Sequence, residues 1–217
     1  MGAMRIVRIP GVFVPRSDTW LLAGHLQRQP QVNGAVADVC TGSGALAIAA
    51  ARAGATSVTA IDVSRRALAS ARINARLNGV RVRTRRSSLL AALPGERFDL
   101  IVSNPPYLPS HDPEPPRGSA RHIDAGPDGR AFVDRLIAQA PSHLRPGGLL
   151  IVTHSSVNDE HATLDRMESA GLEARVLERR RGPLGPLLAA RAPMLQARGL
   201  LAAGAAEEDL LIVAGTA

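Results

Sequence analysis

Short apolar runs alternate with amphipathic stretches along most of this chain. Each run has the length of a buried strand, and the stretches between them repeat their apolar residues at helical spacing. Regular alternation of strand and helix is typical of a single open α/β sheet with helices on both faces. The pattern predicts seven strands, at residues 35–40, 57–61, 80–85, 98–102, 149–153, 172–178 and 209–213. It predicts helices at residues 19–29, 45–52, 64–78, 129–140, 159–170 and 187–198, and a Pro- and Gly-containing turn at 179–186.

The segment before the first core strand has an apolar pattern that prolines interrupt. Residues 5–20 are therefore expected to form a short hairpin or an extended cover over the sheet. Ser17 or Asp18 is placed to cap the helix at 19–29. Two interpretations of Asp18 and Thr19 stay open: they only cap the helix, or they bring a polar group close to a ligand.

A glycine-rich turn joins the first predicted strand to its helix. In Thr41-Gly42-Ser43-Gly44 the glycines allow a ligand to approach the backbone at a helix N-terminus. Asp38 lies just before this turn, and Asp62 follows the next strand, where a carboxylate can accept both hydroxyls of a ribose. The dinucleotide pattern GxGxxG is absent because Ala47 takes its last position, and an aspartate beside the turn disfavours a pyrophosphate. The turn therefore favours a nucleoside with a positive group over NAD.

The fourth predicted strand runs into two prolines, in Ser103-Asn104-Pro105-Pro106-Tyr107. Proline restricts the residue before it, so Asn104 is held at the carboxyl end of the strand, where open α/β sheets bind ligands. The amide of Asn104, the carbonyl of Pro105 and the ring of Tyr107 can hold a planar NH2 group, by hydrogen bonds in its plane and packing on its face. A plain strand-ending turn is the alternative.

The composition limits the number of domains and the cellular compartment that we expect. The 217 residues, 45% hydrophobic, suit one domain with a sizeable core. With one cysteine, Cys40, no internal disulfide can form, which favours a reducing compartment. No apolar run is long enough to span a membrane and no signal segment is present, so we expect a cytoplasmic protein.

The charge balance is basic, with a net charge of +7, and all 26 basic residues are arginines. Eight of them lie in residues 63–95, which contain no acidic residue. This segment is either a surface for nucleic acid or an edge strand protected by charge beside a solvated helix face. Because it contains no aromatic residue that could stack on a base, the second interpretation is favoured.

The segment after Tyr107, residues 108–128, is rich in proline, glycine and charge, and is expected to form a loop over the site. It contains side chains of metal-binding type: His111, Asp112, Glu114, His122 and Asp124. Their spacing fits no standard metal site. We therefore expect solvated loop residues and no metal.

Three motifs together resemble those of class I S-adenosylmethionine-dependent methyltransferases: Asp-x-Cys-Thr-Gly-Ser-Gly at 38–44, Asp62, and Asn-Pro-Pro-Tyr at 104–107. The more specific resemblance is to the HemK-like group, which methylates the glutamine amide of translation release factors. Residues 12–19 resemble that group's lead-in, and residues 126–130 resemble its Gly-x-Asp-Gly segment. The resemblance implies a seven-stranded doubly wound Rossmann-like methyltransferase sheet whose last strand is antiparallel. It also implies a lead-in and helix at 1–34 that cover the cofactor, followed by the methyltransferase domain at 35–217.

The implied cofactor is S-adenosyl-L-methionine, which leaves as S-adenosyl-L-homocysteine. By the same resemblance, Asn104, Pro105 and Tyr107 would hold the acceptor amide. The residues implied at the cofactor are Thr19, Asp38, Cys40, Gly42, Gly44, Asp62, Val63, Ser88 and Asn104. Ser88 stands where the family usually has an aspartate at the adenine, and it can accept a hydrogen bond without bringing a charge.

Only 34 residues precede the first predicted core strand, too few for the helical domain with which longer bacterial members dock the release factor. The chain looks like the short eukaryotic and archaeal members, of which the eukaryotic ones act with a small zinc-binding partner. The expected partners are a release factor as substrate and a small activating protein. Three alternatives stay open: an adenine or cytosine amino-methyltransferase on DNA or RNA, a small-molecule methyltransferase, and a cofactor-binding subunit without catalysis.

Overall fold

The computed structural model describes residues 4–110 and 123–217. In these residues seven strands form one sheet: β1 (Ala35–Val39), β2 (Ser57–Asp62), β3 (Arg83–Arg86), β4 (Phe98–Ser103), β5 (Leu144–Ser155), β6 (Glu173–Pro183) and β7 (Glu207–Thr216). The helices are α1 (Ser17–Leu26), α2 (Ala45–Arg52), α3 (Arg65–Leu77), α4 (Ala131–His143), α5 (Glu160–Ser169) and α6 (Pro186–Ala197).

The strand order across the sheet is β3-β2-β1-β4-β5-β7-β6. Strands β1 to β5 pair in parallel, whereas β7 is antiparallel to both of its neighbours. The predicted seven-stranded sheet with an antiparallel last strand is confirmed. Because β1 pairs directly with β4, the order of the strands reverses between them, and their carboxyl ends form the switch point at which such sheets bind ligands.

Successive residues of the central strands face opposite helical layers. Val36 of β1 and Leu100 of β4 share one core with α1 and α2. Their neighbours Ala37 and Ile101 share the other core with α4 and α5. All four side chains are fully buried, which explains why these strands carry apolar residues on both faces rather than only at every second position.

The turn predicted at residues 179–186 is wrong, because β6 continues to Pro183. Its arginines are compatible with a strand since acidic side chains pair with them across the ladder. Arg179 lies 2.9 Å from Asp209, and Arg181 lies 2.8 Å from Glu207. Charge pairing between neighbouring strands therefore replaces the apolar signal that marks the other strands.

The lead-in contains no hairpin in residues 4–16. It runs as an extended cover across α3, where the Val7 amide donates to Asn74 Oδ1 at 2.8 Å and the Arg5 amide donates to Asn78 Oδ1 at 3.0 Å. Of the two alternatives for this segment, the extended cover is confirmed.

The arginine-rich segment forms an exposed edge of the sheet. Strand β3 is the edge strand, shorter than predicted, and Arg83, Arg85 and Arg86 are exposed on it. Arg83 pairs with Glu96, and Arg86 donates to the Val63 carbonyl at 3.1 Å. The favoured interpretation, a charged edge strand, is thus confirmed, and a nucleic-acid surface stays an untested alternative.

Within the described ranges, no helix combines the length and hydrophobicity needed to cross a membrane. The same residues hold no cluster of three or more His, Cys, Asp or Glu side chains that could bind a metal ion. Four of the five loop side chains of metal-binding type, His111, Asp112, Glu114 and His122, lie outside the described residues. The fifth, Asp124, pairs with Arg191 at 2.7 Å.

Candidate active site

A cavity of about 660 Å³ lies at the switch point. Segments that are far apart in the sequence supply its walls: the lead-in, the loops after β1 to β4, α4, and the C-terminal part of the chain. Its lining residues include Phe13, Arg16, Ser17, Asp18, Cys40, Gly42, Asp62, Val63, 87–89, 104–108, Ile123, Phe132, Arg135, 180–188, Glu208 and Leu210. Three of the chain's five aromatic rings belong to this set.

The glycine-rich turn has the backbone that the sequence predicted. Gly42 and Gly44 both have positive φ, +52° and +84°. A Cβ on Gly44 would lie 2.8 Å from the Cα of Ala71 in α3, so only glycine lets α2 begin this close to α3. Gly42 lines the cavity, whereas Gly44 serves the packing beneath it.

Asp38 is fully buried beneath this turn and does not line the cavity. Its Oδ2 accepts hydrogen bonds from the Thr41 hydroxyl at 2.5 Å and the Ala47 amide at 2.9 Å. Its Oδ1 has no hydrogen-bond partner among the described residues. Burial raises the pKa of Asp38 to about 7, against the two hydrogen bonds, which lower it. A buried acceptor oxygen that no described residue satisfies therefore lies beneath the glycine-rich turn.

Asp62 ends β2 and lines the cavity beside Val63, which is 48% exposed. Its Oδ2 accepts from the Gly42 amide at 3.0 Å, and its Oδ1 accepts from the Ser64 amide at 2.9 Å. These bonds fix the carboxylate at the cavity wall and join the loop after β1 to the loop after β2.

Cys40 lines the cavity with a backbone φ of +60°. Burial raises the pKa of its thiol, and the charges of Asp62 and Asp38 raise it further. The thiol therefore stays protonated at neutral pH, which disfavours it as a nucleophile.

Ser88 is exposed at the cavity wall and accepts from Arg135 Nη2 of α4 at 3.3 Å. Phe132 lies one helical turn before Arg135 and lines the same wall. Sequence reasoning missed both α4 residues. The helical pattern placed Phe132 among apolar positions but gave no sign that the start of α4 reaches the site.

Asn104 and Tyr107 are tied to the start of α1. Asn104 Nδ2 donates to Thr19 Oγ1 at 3.0 Å, and the Tyr107 hydroxyl donates to Asp18 Oδ2 at 3.0 Å. Burial raises the pKa of Tyr107 well above its usual value, and the neighbouring Asp18 charge adds to this. The phenol is therefore a donor at all ordinary pH values.

The predicted capping role of Ser17 or Asp18 is wrong. Helix α1 begins at Ser17 after Arg16, and no side chain caps it. The Asp18 carboxylate is turned instead towards Thr19 and Tyr107, because the loop after β4 lies against the first turn of the helix. Of the two interpretations left open, the structure favours a polar group at the site. Thr19 itself does not line the cavity and reaches it through Asn104.

The backbone of the Asn-Pro-Pro-Tyr loop has a second support, from the opposite side. Asn158 is buried, and its Nδ2 donates to the carbonyls of Tyr107 at 2.7 Å and Asp128 at 3.0 Å. Gly129 passes so close that a Cβ there would lie 2.3 Å from the Tyr107 carbonyl oxygen. Arg130 in turn donates to the Asn158 carbonyl. The segment 126–130, noted in the sequence for its resemblance, is thus part of the scaffold of this loop.

The C-terminal part of the chain, for which the sequence predicted no site residue, builds one wall of the cavity. Residues 180–188 line it, and Leu188 of α6 packs in a small core with Leu108. Arg191 and Arg198 donate to the Pro109 and Ser110 carbonyls, each at 2.7 Å. No motif marks these residues, because leucine and arginine are common in surface helices, so the sequence carries no signal that they belong to the site.

Known proteins resemble this chain in both sequence and fold. The profile of the family described as methyltransferase small domain matches residues 3–120. A Methanocaldococcus jannaschii protein assigned as a protein N5-glutamine methyltransferase is 32% identical over 180 residues, 82% of this chain and 90% of that protein. The release factor glutamine methyltransferase of Deinococcus radiodurans is 39% identical over 183 residues, 81% of this chain, but the match spans only 65% of that longer protein.

Among solved structures, the E. cuniculi Mtq2–Trm112 complex, described as responsible for methylation of the eRF1 translation termination factor, superposes with a TM-score of 0.66 and 25% identity. The superposition covers 95% of this chain and 98% of that one. The cavity at the switch point, its paired loops after β1 and β4, and these similarities agree on one assignment. The chain belongs to the methyltransferase small domain family and, within it, to the HemK-like group of protein-glutamine methyltransferases.

Proposed function

We propose that this protein transfers a methyl group from S-adenosylmethionine to the side-chain amide nitrogen of a glutamine in a translation release factor. The observation that carries the proposal is the pair of acceptors at the end of β4, the Asn104 amide and the Pro105 carbonyl, beside a cavity large enough for a nucleoside cofactor. The name of the Deinococcus radiodurans relative and the description of the E. cuniculi complex support the release factor as substrate, and the name of the Methanocaldococcus jannaschii relative supports glutamine as the target residue. Because release factors act during translation, we place the reaction in the cytoplasm.

The residues of the cavity fit S-adenosylmethionine, a nucleoside with a positively charged sulfonium and an amino-acid end. Asp38 offers a buried carboxylate oxygen without a partner among the described residues, which suits the ammonium group. Asp62 at the end of β2 suits the ribose hydroxyls, and Val63 with Ser88 suits the adenine. Cys40, Gly42 and Gly44 form the turn against which the amino-acid end would lie, and residues 1–34 would cover this end. When bound, the cofactor supplies a methyl group that is already activated for transfer.

The chain's own task is then to position a poor nucleophile. An amide nitrogen has a delocalised lone pair, and its two N–H groups need two acceptors in one plane. Asn104 Oδ1 and the Pro105 carbonyl would accept hydrogen bonds from these two N–H groups, and the Tyr107 ring would pack on the face of the amide. Proximity and orientation of this kind can supply on the order of 7 kcal/mol or more in good cases.

The wall formed by β6 and α6 supports a peptide rather than a flipped base as acceptor. It presents Pro183, Leu184 and Leu187 to the cavity, together with Leu108 from the loop after β4. The residues 180–188 contain no aromatic ring on which a base could stack. Apolar side chains of a loop around the target glutamine would fit this surface.

A small activating partner is also part of the proposal. Its support is the E. cuniculi complex, in which the chain that resembles this one is bound to Trm112. If purified protein alone shows no transfer, cofactor binding should still be measurable, and activity should appear on addition of the partner from a matched lysate fraction.

The test is methyl transfer from labelled S-adenosylmethionine to a purified release factor, alongside a matched lysate split into protease-treated and nuclease-treated halves. Label should survive nuclease, disappear with protease, and be lost when the target glutamine is replaced. Asn104→Ala should abolish transfer, because the variant lacks the side chain that binds the substrate amide. The cofactor Kd should stay within about threefold of that of the unchanged protein. Label that survives protease and disappears with nuclease, or full activity of Asn104→Ala, would overturn the assignment.

A further inference from the structure

The side-chain amide of Asn104 has two different ends, and the end that faces the acceptor decides what can bind there. Its Nδ2 is bound to Thr19 Oγ1 at 3.0 Å. Among residues 4–110 and 123–217, none donates a hydrogen bond to its Oδ1. The oxygen of Asn104 is therefore the end left for a ligand.

The hydrogen bonds behind Asn104 all run in one direction. A threonine hydroxyl has one hydrogen, and that of Thr19 points to Asp18 Oδ1, 3.3 Å away, so its lone pairs are left to accept from Asn104. Asp18 Oδ1 also accepts from the Thr19 amide at 2.6 Å, and Asp18 Oδ2 accepts from Tyr107. Asp18 thus accepts three hydrogen bonds and donates none to the described residues, so it sets the direction of every bond in this network.

Asp18 and Thr19 are held firmly enough for this purpose. Both are buried, each with 6% of its surface exposed, in the first turn of α1. The packing of Leu21 and Leu22 into the core fixes the helix itself.

We propose that Asp18 and Thr19 are positioning residues which fix Asn104 with its oxygen towards the acceptor, and that they thereby make the site select a carboxamide over a carboxylate. This inference rests on the proposed function and deepens it. A glutamine NH2 group presents two donors to Asn104 Oδ1 and the Pro105 carbonyl. A glutamate would present only acceptors to the same two oxygens and be repelled. If the side-chain amide of Asn104 flipped by about 180°, its NH2 group would face the substrate, and the preference for glutamine over glutamate would weaken.

The matched variants are Thr19→Val, which keeps the shape but has no hydroxyl, and Thr19→Ser, which keeps the hydroxyl. The substrate is a purified release factor, and the competitor is the same factor with its target glutamine replaced by glutamate. For Thr19→Val we expect kcat to fall about 10- to 100-fold. We also expect the inhibition constant of the glutamate competitor, divided by the KM of the glutamine substrate, to fall about tenfold. Thr19→Ser should recover both values to within about threefold of the unchanged protein. The cofactor Kd and the melting temperature of each variant serve as controls for binding and folding.

A second readout needs no substrate. Labelling with ¹⁵N-asparagine gives five side-chain NH2 signals, and that of Asn104 is the one lost in Asn104→Ala. One of its two protons should exchange slowly with water in the unchanged protein and in Thr19→Ser, and rapidly in Thr19→Val. A folded Thr19→Val protein with unchanged exchange and an unchanged preference for glutamine would overturn the inference. Slow exchange in a protein that transfers no methyl group to any release factor would instead refute the proposed function and leave the orientation of Asn104 supported.

Discussion

Cofactor affinity should depend on pH through Asp38. The carboxyl is fully buried, and its pKa is raised to about 7, so near neutral pH half of the unliganded molecules carry it protonated. A ligand ammonium group needs the ionised form. With a pKa of about 7, the ionised fraction is about 3% at pH 5.5 and about 75% at pH 7.5. If only the ionised form binds, the Kd should rise about 25-fold as pH falls between these values.

The assay is calorimetric titration with S-adenosylmethionine and, separately, with S-adenosylhomocysteine. The two ligands share the amino-acid end, but only the first carries the sulfonium charge, so an effect of Asp38 on the ammonium should appear equally in both. Asp38→Asn keeps the size of the side chain but cannot ionise. This variant should therefore bind both ligands weakly, with a Kd that is nearly constant from pH 5.5 to 7.5. A flat Kd from pH 5.5 to 7.5 in the unchanged protein would refute the reasoning.

The same raised pKa has a consequence for the unliganded protein. A carboxyl whose pKa rises from 3.8 to about 7 on folding binds more protons in the folded than in the unfolded state between these values. The stability that Asp38 contributes is therefore fully present below pH 3.8 and is lost as pH rises to about 7. Bound cofactor should reverse this trend, which separates the effect of Asp38 from general acid denaturation.

Three other variants test the scaffold. Gly44→Ala should lower the free energy of unfolding by about 2–5 kcal/mol through its positive φ and the short contact with α3, whereas Gly79→Ala, with positive φ but open space around it, should cost about 1 kcal/mol; equal melting temperatures would contradict the close-packing argument. Asn158→Ala leaves two carbonyls without their donor and should lower the free energy of unfolding by about 1–3 kcal/mol and reduce kcat, with the cofactor Kd unchanged. A raised cofactor Kd at full kcat would show that Asn158 serves the cofactor instead. Cys40→Ala should retain methyl transfer within about tenfold, because its protonated thiol takes no part in the reaction, and complete loss of turnover in a variant that still binds cofactor would refute this.

The central strands were predictable because the pattern that marks each one, a short apolar run, lies within the strand itself. Strands β1, β2 and β4 are mostly apolar on both faces, because helices cover both faces of the sheet, and each ends at a recognisable motif. Strand β6 shows where this signal fails. Its second half is stabilised by ion pairs with β7, about thirty residues away, and the sequence of Arg179 to Pro183 by itself has the composition of a turn.

The candidate site divides in the same way. The residues proposed for the cofactor, 38–44, 62–63 and 88, lie at or just after the carboxyl ends of β1, β2 and β3, so their place could be read from local sequence. The supports of the acceptor side are distant in sequence: Asp18 lies 89 residues from Tyr107, and Asn158 lies 51 residues beyond it. Such contacts follow from how the strands are ordered in the sheet, and periodicity carries no information about that order.

This division has a consequence for how the two ends of the site can change. In the proposed mechanism the Asn-Pro-Pro-Tyr loop holds a planar NH2 group by two acceptors, and this chemistry would suit a glutamine amide and a nucleobase amine equally. The choice between them depends on the wall around the loop, which α6 builds through Leu188 and through Arg191 on the Pro109 carbonyl. These residues touch neither the glycine-rich turn nor Asp38 in the described contacts, so substitutions in α6 should alter acceptor preference while cofactor affinity stays the same. We therefore expect the motifs to set the reaction and the C-terminal wall to select the acceptor.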